Sequence, residues 1–246
     1  MKTAVLVCGE YREFDNVVNS WKILDRLNCD FYFSTWNKSK QNNNKLGIKR
    51  EFDVTPDMIL KHYPDAVIDI LNKEDITELD VRIGGNIAKI YYHWKNCLKL
   101  LKDSKKKYDF IVIIRPDLFL TLNKNYTLFP VKLLSKIYKK NSLFMGGDII
   151  TNTMVDDVFI IGSYDVLEKL INSSNDFIPD IHMALFDYVN SSKIEFINRD
   201  IFIKTDIVRP NVFYNTITDD ALNDINYIYK KQLEWDSTVI KRPYSD

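Results

Sequence analysis

The chain has 246 residues, 46% of them hydrophobic, and its 34 Lys and Arg are balanced by 34 Asp and Glu. That length buries a sizeable core as one domain. The zero net charge supplies no global field for nucleic acid, so an anionic ligand must be met by local groups. Cys8, Cys29 and Cys97 are far apart and odd in number, which argues against a disulfide framework or a Cys-x-x-Cys metal site and fits a reducing, cytoplasmic compartment.

Taken in order, apolar runs suited to strands alternate with segments of helical period. MKTAVLVCGEYR has one lysine and a short apolar run stopped by Glu10, so it reads as a strand and not a signal peptide, and no segment approaches the about 18 apolar residues of a membrane span. Val17, Val18, Trp21, Leu24 and Leu27 then share a helical face, with Asp15 as the expected N-cap. After the strand DFYFST, the stretch NKSKQNNNK offers nothing to bury and reads as a mobile loop. Thr55 and Pro56 mark a helix start before the short strand AVIDI. Ile87, Ile90, Tyr91, Trp94, Leu98 and Leu101 define a long helix ending in the solvated run KDSKKK, and DFIVII closes a third strand-helix-strand unit. Beyond it, SLFMGG, DVFIIG, IEFIN and the IFIKTDIV region read as strands, and SYDVLEKLI, PDIHMALFDYV and TDDALNDINYIYKKQLEW as helices.

This alternation implies an α/β fold, a mostly parallel sheet with helices on both faces and right-handed crossovers. No linker cuts the chain. The expectation is one domain over residues 1–246, regular over residues 1–122 and less regular over 123–246. Ligands of open parallel sheets lie outside the carboxyl ends of the strands. That rule brings Gly9 to Arg12, Ser34 to Asn37, Gly84 to Asn86 and Arg115 to Asp117 to one edge. Gly9 lets backbone approach a ligand, and Arg12 can fork onto phosphate. The helix beginning near Asn86 offers free amides to an anion. Thr35 and Trp36 can seat a nucleoside, and Asp117 can pair with Arg115 or hold Mn²⁺ or Mg²⁺ between two phosphates. Together these groups describe a nucleotide diphosphate site. VCGEYR is neither a G-x-x-x-x-G-K-S/T nor a G-x-G-x-x-G loop, which lowers kinase-like and dinucleotide readings.

VLVCGEYREF, DFYFSTWN, NIAKIYYHWKNC, YDFIVIIRPDLFL and MVDDVFIIGSYDVLEKL, in that order, resemble small GT-A-type glycosyltransferases of viruses and bacteria. The resemblance rests on a G-x-x-R loop, an R-x-D-L strand end and an acidic pair leading into Phe-x-x-Gly, over residues 1 to about 172. It implies a GT-A-like, Rossmann-like fold, a nucleotide diphosphate sugar donor bound by residues 1–122, the nucleotide-sugar-binding half, and a glycan acceptor on the side of residues 123–246. Gly9 and Arg12 would face the donor, Asp117 would take the metal position, and Asp156 or Asp157 would stand on the acceptor side. One departure is that many such enzymes carry Asp-x-Asp, whereas this chain has Arg115-Pro116-Asp117. Either Asp117 holds the metal together with diphosphate and water, or Arg115 takes part of the charge neutralisation.

Asp156 and Asp157 enter a strand side by side, where alternation sends their side chains to opposite faces, so only one can point into a cleft. Asp157 is the first candidate for the base that accepts the proton of an attacking hydroxyl, and Asp156 the second. The expected activity is transfer of a sugar, uridine diphosphate-linked, to a glycan hydroxyl. A nucleotidyltransferase and an inactive nucleotide- or glycan-binding module are the alternatives.

Overall fold

The computed structural model describes residues 2–12, 14–43, 48–72, 74, 85–122, 141–145, 158–173, 185, 188, 191–192, 194–198 and 203–207. Within them the apolar runs form strands β1 (Thr3–Cys8), β2 (Cys29–Trp36), β5 (Val67–Leu71), β6 (Phe110–Ile114), β8 (Ser142–Met145), β9 (Phe159–Ser163) and β10 (Glu195–Asn198) of one seven-stranded sheet, in the order β10-β8-β9-β6-β1-β2-β5. Strand β1 pairs in parallel with β2 and β6, β2 with β5, and β8 with β10. Strand β9 alone reverses, running antiparallel to both β6 and β8. The result is the expected mostly parallel sheet of an α/β fold, and strands from both halves of the chain share it.

Both faces of the sheet are covered, which is why its central strands read as unbroken apolar runs. One face carries Val5, Val7, Phe31, Phe33, Val112, Ile114 and Ile161 against Phe14, Trp21 and Leu24. The other carries Leu6, Tyr32, Ile111, Ile113 and Ile160 against Tyr91, Trp94 and Leu98 of helix α3 (Gly85–Asp103) and Leu167 and Leu170 of α4 (Tyr164–Ser173). Alternate residues of each strand divide between the two cores, as a period of two requires. Gly162 on β9 sits tightly between β8 and α4: a Cβ there would lie 2.7 Å from Leu143 Cδ2 and 3.0 Å from Leu167 Cγ.

Several local expectations change. The stripe Val17, Val18, Trp21, Leu24 and Leu27 is buried as expected, but only Phe14–Val17 is α-helical (α1), and Val18–Leu27 winds as a 3₁₀ helix closed by left-handed Asn28 at φ 49°. Asp15 lies inside α1, where it accepts from His62 Nε2 at 3.0 Å and pairs with Lys61 Nζ at 2.7 Å. Thr55 does precede helix α2 (Pro56–Leu60), with no cap hydrogen bond from its side chain.

The Asn- and Lys-rich stretch forms a hairpin in place of a loop, β3 (Lys38–Asn43) antiparallel to β4 (Ile48–Asp53). Buried Ser39 and Val54 and half-buried Phe52 anchor it against the core. Strand β7 (Leu118–Leu122) leaves the main sheet to pair antiparallel with β11 (Ile203–Ile207). The 3₁₀ helix fixes β7 in place, because Trp21 Nε1 donates to Leu118 O at 2.6 Å and Leu120 N to Ser20 Oγ at 2.9 Å. The second-half helix expected over PDIHMALFDYV and the terminal helix lie largely or wholly outside the described residues.

Candidate functional site

The carboxyl ends of β1, β2 and β6 lie together because the three strands are neighbours in register. The reversed β9 adds its entrance to the same rim. Ile114 pairs with Phe159, and the amide of Arg115 donates to Val158 O at 3.2 Å. Asp156 and Asp157 lie outside the described residues, so neither is placed, but the chain directly after Asp157 abuts the Arg115-Pro116-Asp117 turn.

The loop after β1 meets that turn. Gly9 adopts φ +124°, a backbone state that strains any L side chain, and a Cβ added to it would sit 3.8 Å from Pro116 Cδ. Gly9 N donates to Ser34 O at 3.1 Å and Tyr11 N to Thr35 Oγ1 at 3.1 Å, so β2 sets the path of the loop. Thr35, expected to seat a nucleoside, is 1% exposed and its hydroxyl oxygen holds this loop instead.

Four charged side chains gather where loop and turn meet. Arg115 grips Asp117 with two nitrogens, Nε to Oδ1 at 3.0 Å and Nη2 to Oδ2 at 2.8 Å. Arg12 Nη1 stands 3.6 Å from the same Oδ2. Arg12 also donates through Nε and Nη2 to Glu10 Oε2, while Glu10 Oε1 accepts from the Lys40 amide at 2.8 Å. Of the two contacts, the bidentate Arg115–Asp117 pair, with a nitrogen on each carboxylate oxygen, is the geometrically specific one. Glu10 was missed as a member of the site. Its signal was the spacing, two residues before Arg12, that puts carboxylate and guanidinium on one loop.

The residues found here do not fit the expected divalent cation. Mn²⁺ and Mg²⁺ take open carboxylate oxygens, yet Asp117 is 1% exposed and both of its oxygens are engaged by Arg115. Among the described residues no group of three or more His, Cys, Asp or Glu is assembled as metal ligands.

Trp36 is 4% exposed, wedged between His93 at 4.3 Å and the nearly parallel ring of Tyr92 at 6.4 Å, centroid to centroid. Tyr92 is the one exposed large hydrophobic among the described residues. Trp36 is therefore covered, and the exposed ring near the end of β2 is that of Tyr92. Its signal was one step out of phase with the apolar stripe of Tyr91 and Trp94.

His93 is buried beneath. Its Nδ1 lies 2.8 Å from Ser34 Oγ, which accepts from Asn96 Nδ2, and Asn96 Nδ2 also donates to Asp69. Its Nε2 is buried with no hydrogen-bond partner among the described residues, and burial pushes its pKa down to about 3, so the ring is neutral. Asn86 lies in the first turn of α3, which packs on β1 and β2.

Fold and rim together define an α/β protein with a mostly parallel sheet and a pair of guanidinium groups at the carboxyl edge of that sheet. No protein-family model and no curated protein matches the chain. Two solved structures are similar in chain path. A nucleoside-diphosphate-sugar pyrophosphorylase from Vibrio cholerae RC9 is 12% identical with TM-score 0.41, covering 82% of this chain and 93% of that one. The galactosyltransferase LgtC, in complex with donor and acceptor sugar analogs, is 8% identical with TM-score 0.43, covering 81% of this chain and 74% of that one. At such values the chemistry has to be argued from the rim itself.

Proposed function

We propose that the chain is a glycosyltransferase that moves a sugar from a nucleoside diphosphate sugar, uridine-linked, to a hydroxyl of a glycan acceptor. The observation that carries this reading is the meeting of Arg12 and Arg115 at the edge where β1 and β6 end and β9 begins. Guanidinium groups at that place suit a leaving diphosphate, whose negative charge grows as the bond to the anomeric carbon breaks. Gly9 allows the backbone to approach the phosphates, and the first turn of α3 at Asn86 adds amide donors. The ring of Tyr92, backed by Trp36, offers the base a flat apolar face.

Acceptor activation falls to Asp157 or Asp156, immediately before Val158, by accepting the hydroxyl proton as the new glycosidic bond forms. Incubation with a panel of sugar nucleotides and glycan acceptors tests the proposal. Nucleoside diphosphate release with acceptor-dependent product supports it, whereas pyrophosphate release would assign nucleotidyl transfer, and binding without turnover an inactive module.

A further inference from the structure

The same rim carries a more specific inference, which rests on the nucleoside diphosphate reading. Asp117 and Glu10 are the inner members of the charged cluster, with side chains 1% and 16% exposed, while Arg115 and Arg12 are the outer ones at 23% and 34%. The cluster thus turns guanidinium groups and not carboxylates toward solvent. Oδ2 of Asp117 takes Arg115 Nη2 at 2.8 Å and has Arg12 Nη1 at 3.6 Å, so one oxygen draws two cations together from different loops. Left alone they would repel. Glu10 holds Arg12 from the other side and is itself fixed by the Lys40 amide.

A cation seated on Asp117 would have to displace Arg115 from both oxygens and would then stand beside two guanidinium groups, a like-charge arrangement. We propose that Arg12 and Arg115 bind the diphosphate directly, without a divalent cation, and that Asp117 is the positioning residue that holds the two guanidinium groups side by side. The planar fork of arginine matches the geometry of phosphate oxygens.

Uridine diphosphate binding to the full-length chain, measured by calorimetry in EDTA and again in Mn²⁺, tests the proposal. The expected result is equal affinity in the two buffers, within about threefold, and at least tenfold weaker binding for Arg12→Ala and for Arg115→Ala in EDTA. Asp117→Asn should weaken uridine diphosphate in EDTA by about tenfold and leave uridine, which lacks phosphate, unchanged, a separation that general loss of structure would not give. Binding seen in Mn²⁺ and lost in EDTA would overturn the inference while leaving the glycosyltransferase reading in place. This comparison uses the wild-type chain and stands whether or not the variants fold. Failure of every sugar nucleotide and nucleoside diphosphate to bind in either buffer would overturn both.

Discussion

His93 gives the sharpest quantitative test of the rim's interior. The ring is 1% exposed, and among the described residues its Nε2 has no partner to replace a proton's hydration. Burial holds its pKa at about 3, against about 6.5 in an unfolded chain. The unfolded state therefore binds more protons between these values, so the contribution of His93 to stability is fully present above pH 6.5 and is lost as pH falls toward 3. At about 1.4 kcal/mol per pH unit, lowering pH from 8 to 5 removes about 2 kcal/mol, or roughly 4–8 °C in midpoint for a chain of this size.

His93→Phe removes the titrating ring and keeps an aromatic contact for Trp36, while Ser34 retains its bond from Asn96. Urea denaturation of both proteins at pH 8, 6.5, 5 and 4.5 is the assay. Wild type should lose about 2 kcal/mol relative to the variant by pH 5. Asp30, held down to about 2 by hydrogen bonds from Tyr108, Lys2 and Lys106 against the upward push of partial burial, contributes its own loss only as pH falls from about 4 toward 2. Parallel stability curves for the two proteins between pH 8 and 5 would refute the placement of a neutral, isolated imidazole under Trp36.

Other expectations follow from the same contacts. Tyr92→Ala should weaken uridine diphosphate by about 1–3 kcal/mol, the range of an aromatic-base stack, and Tyr92→Phe should leave calorimetric affinity nearly intact; equal binding by all three would place the base elsewhere. Gly9→Ala should cost about 1–3 kcal/mol of stability through backbone strain at φ +124°, since the added Cβ meets Pro116 only at an ordinary 3.8 Å; a thermal midpoint equal to wild type would contradict that conformation. Gly162→Ala should cost about 1–3 kcal/mol by overpacking against Leu143 and Leu167. Shortening the neighbour in Gly162→Ala/Leu143→Val should recover part of that loss, and no recovery would mean the strain lies elsewhere.

The order of strands and helices was legible because burial on both faces leaves long apolar runs, and a helix that packs on a sheet keeps a stripe such as Tyr91, Trp94, Leu98 and Leu101. The hairpin was not, because Ser39, Phe52 and Val54 hold it on the core and β3 and β4 are otherwise polar except for Ile48. Composition alone cannot distinguish such a ribbon from a loop. At the rim, Arg115 and Asp117 were visible as a charged pair at a strand end, and the pairing was one of the options that an isolated carboxylate beside apolar residues required. What could not be read was how Arg12, a hundred residues away, enters the same pair, since that depends on Gly9 turning the first loop toward Pro116. Trp36 and Thr35 were drawn to the correct edge but inward, because a residue's position on a strand fixes its edge and the neighbouring helix decides whether its side chain is covered.

The direction of β9 is the least legible feature, and the proposed transfer depends on it. A short, fully buried strand has the same apolar pattern read either way, so FIIGS carries no mark of its polarity. Had it run parallel to β6, the acidic pair leading into it would enter at the far end of the sheet, about 17 Å from Arg115 for a five-residue strand. A carboxylate there could not accept a proton from a hydroxyl attacking a sugar whose diphosphate lies against Arg12 and Arg115. The antiparallel register Ile114 to Phe159 and the Arg115 amide on Val158 O put the residue after Asp157 beside the Arg115-Pro116-Asp117 turn. That single reversal makes one rim able to serve both the leaving group and the acceptor.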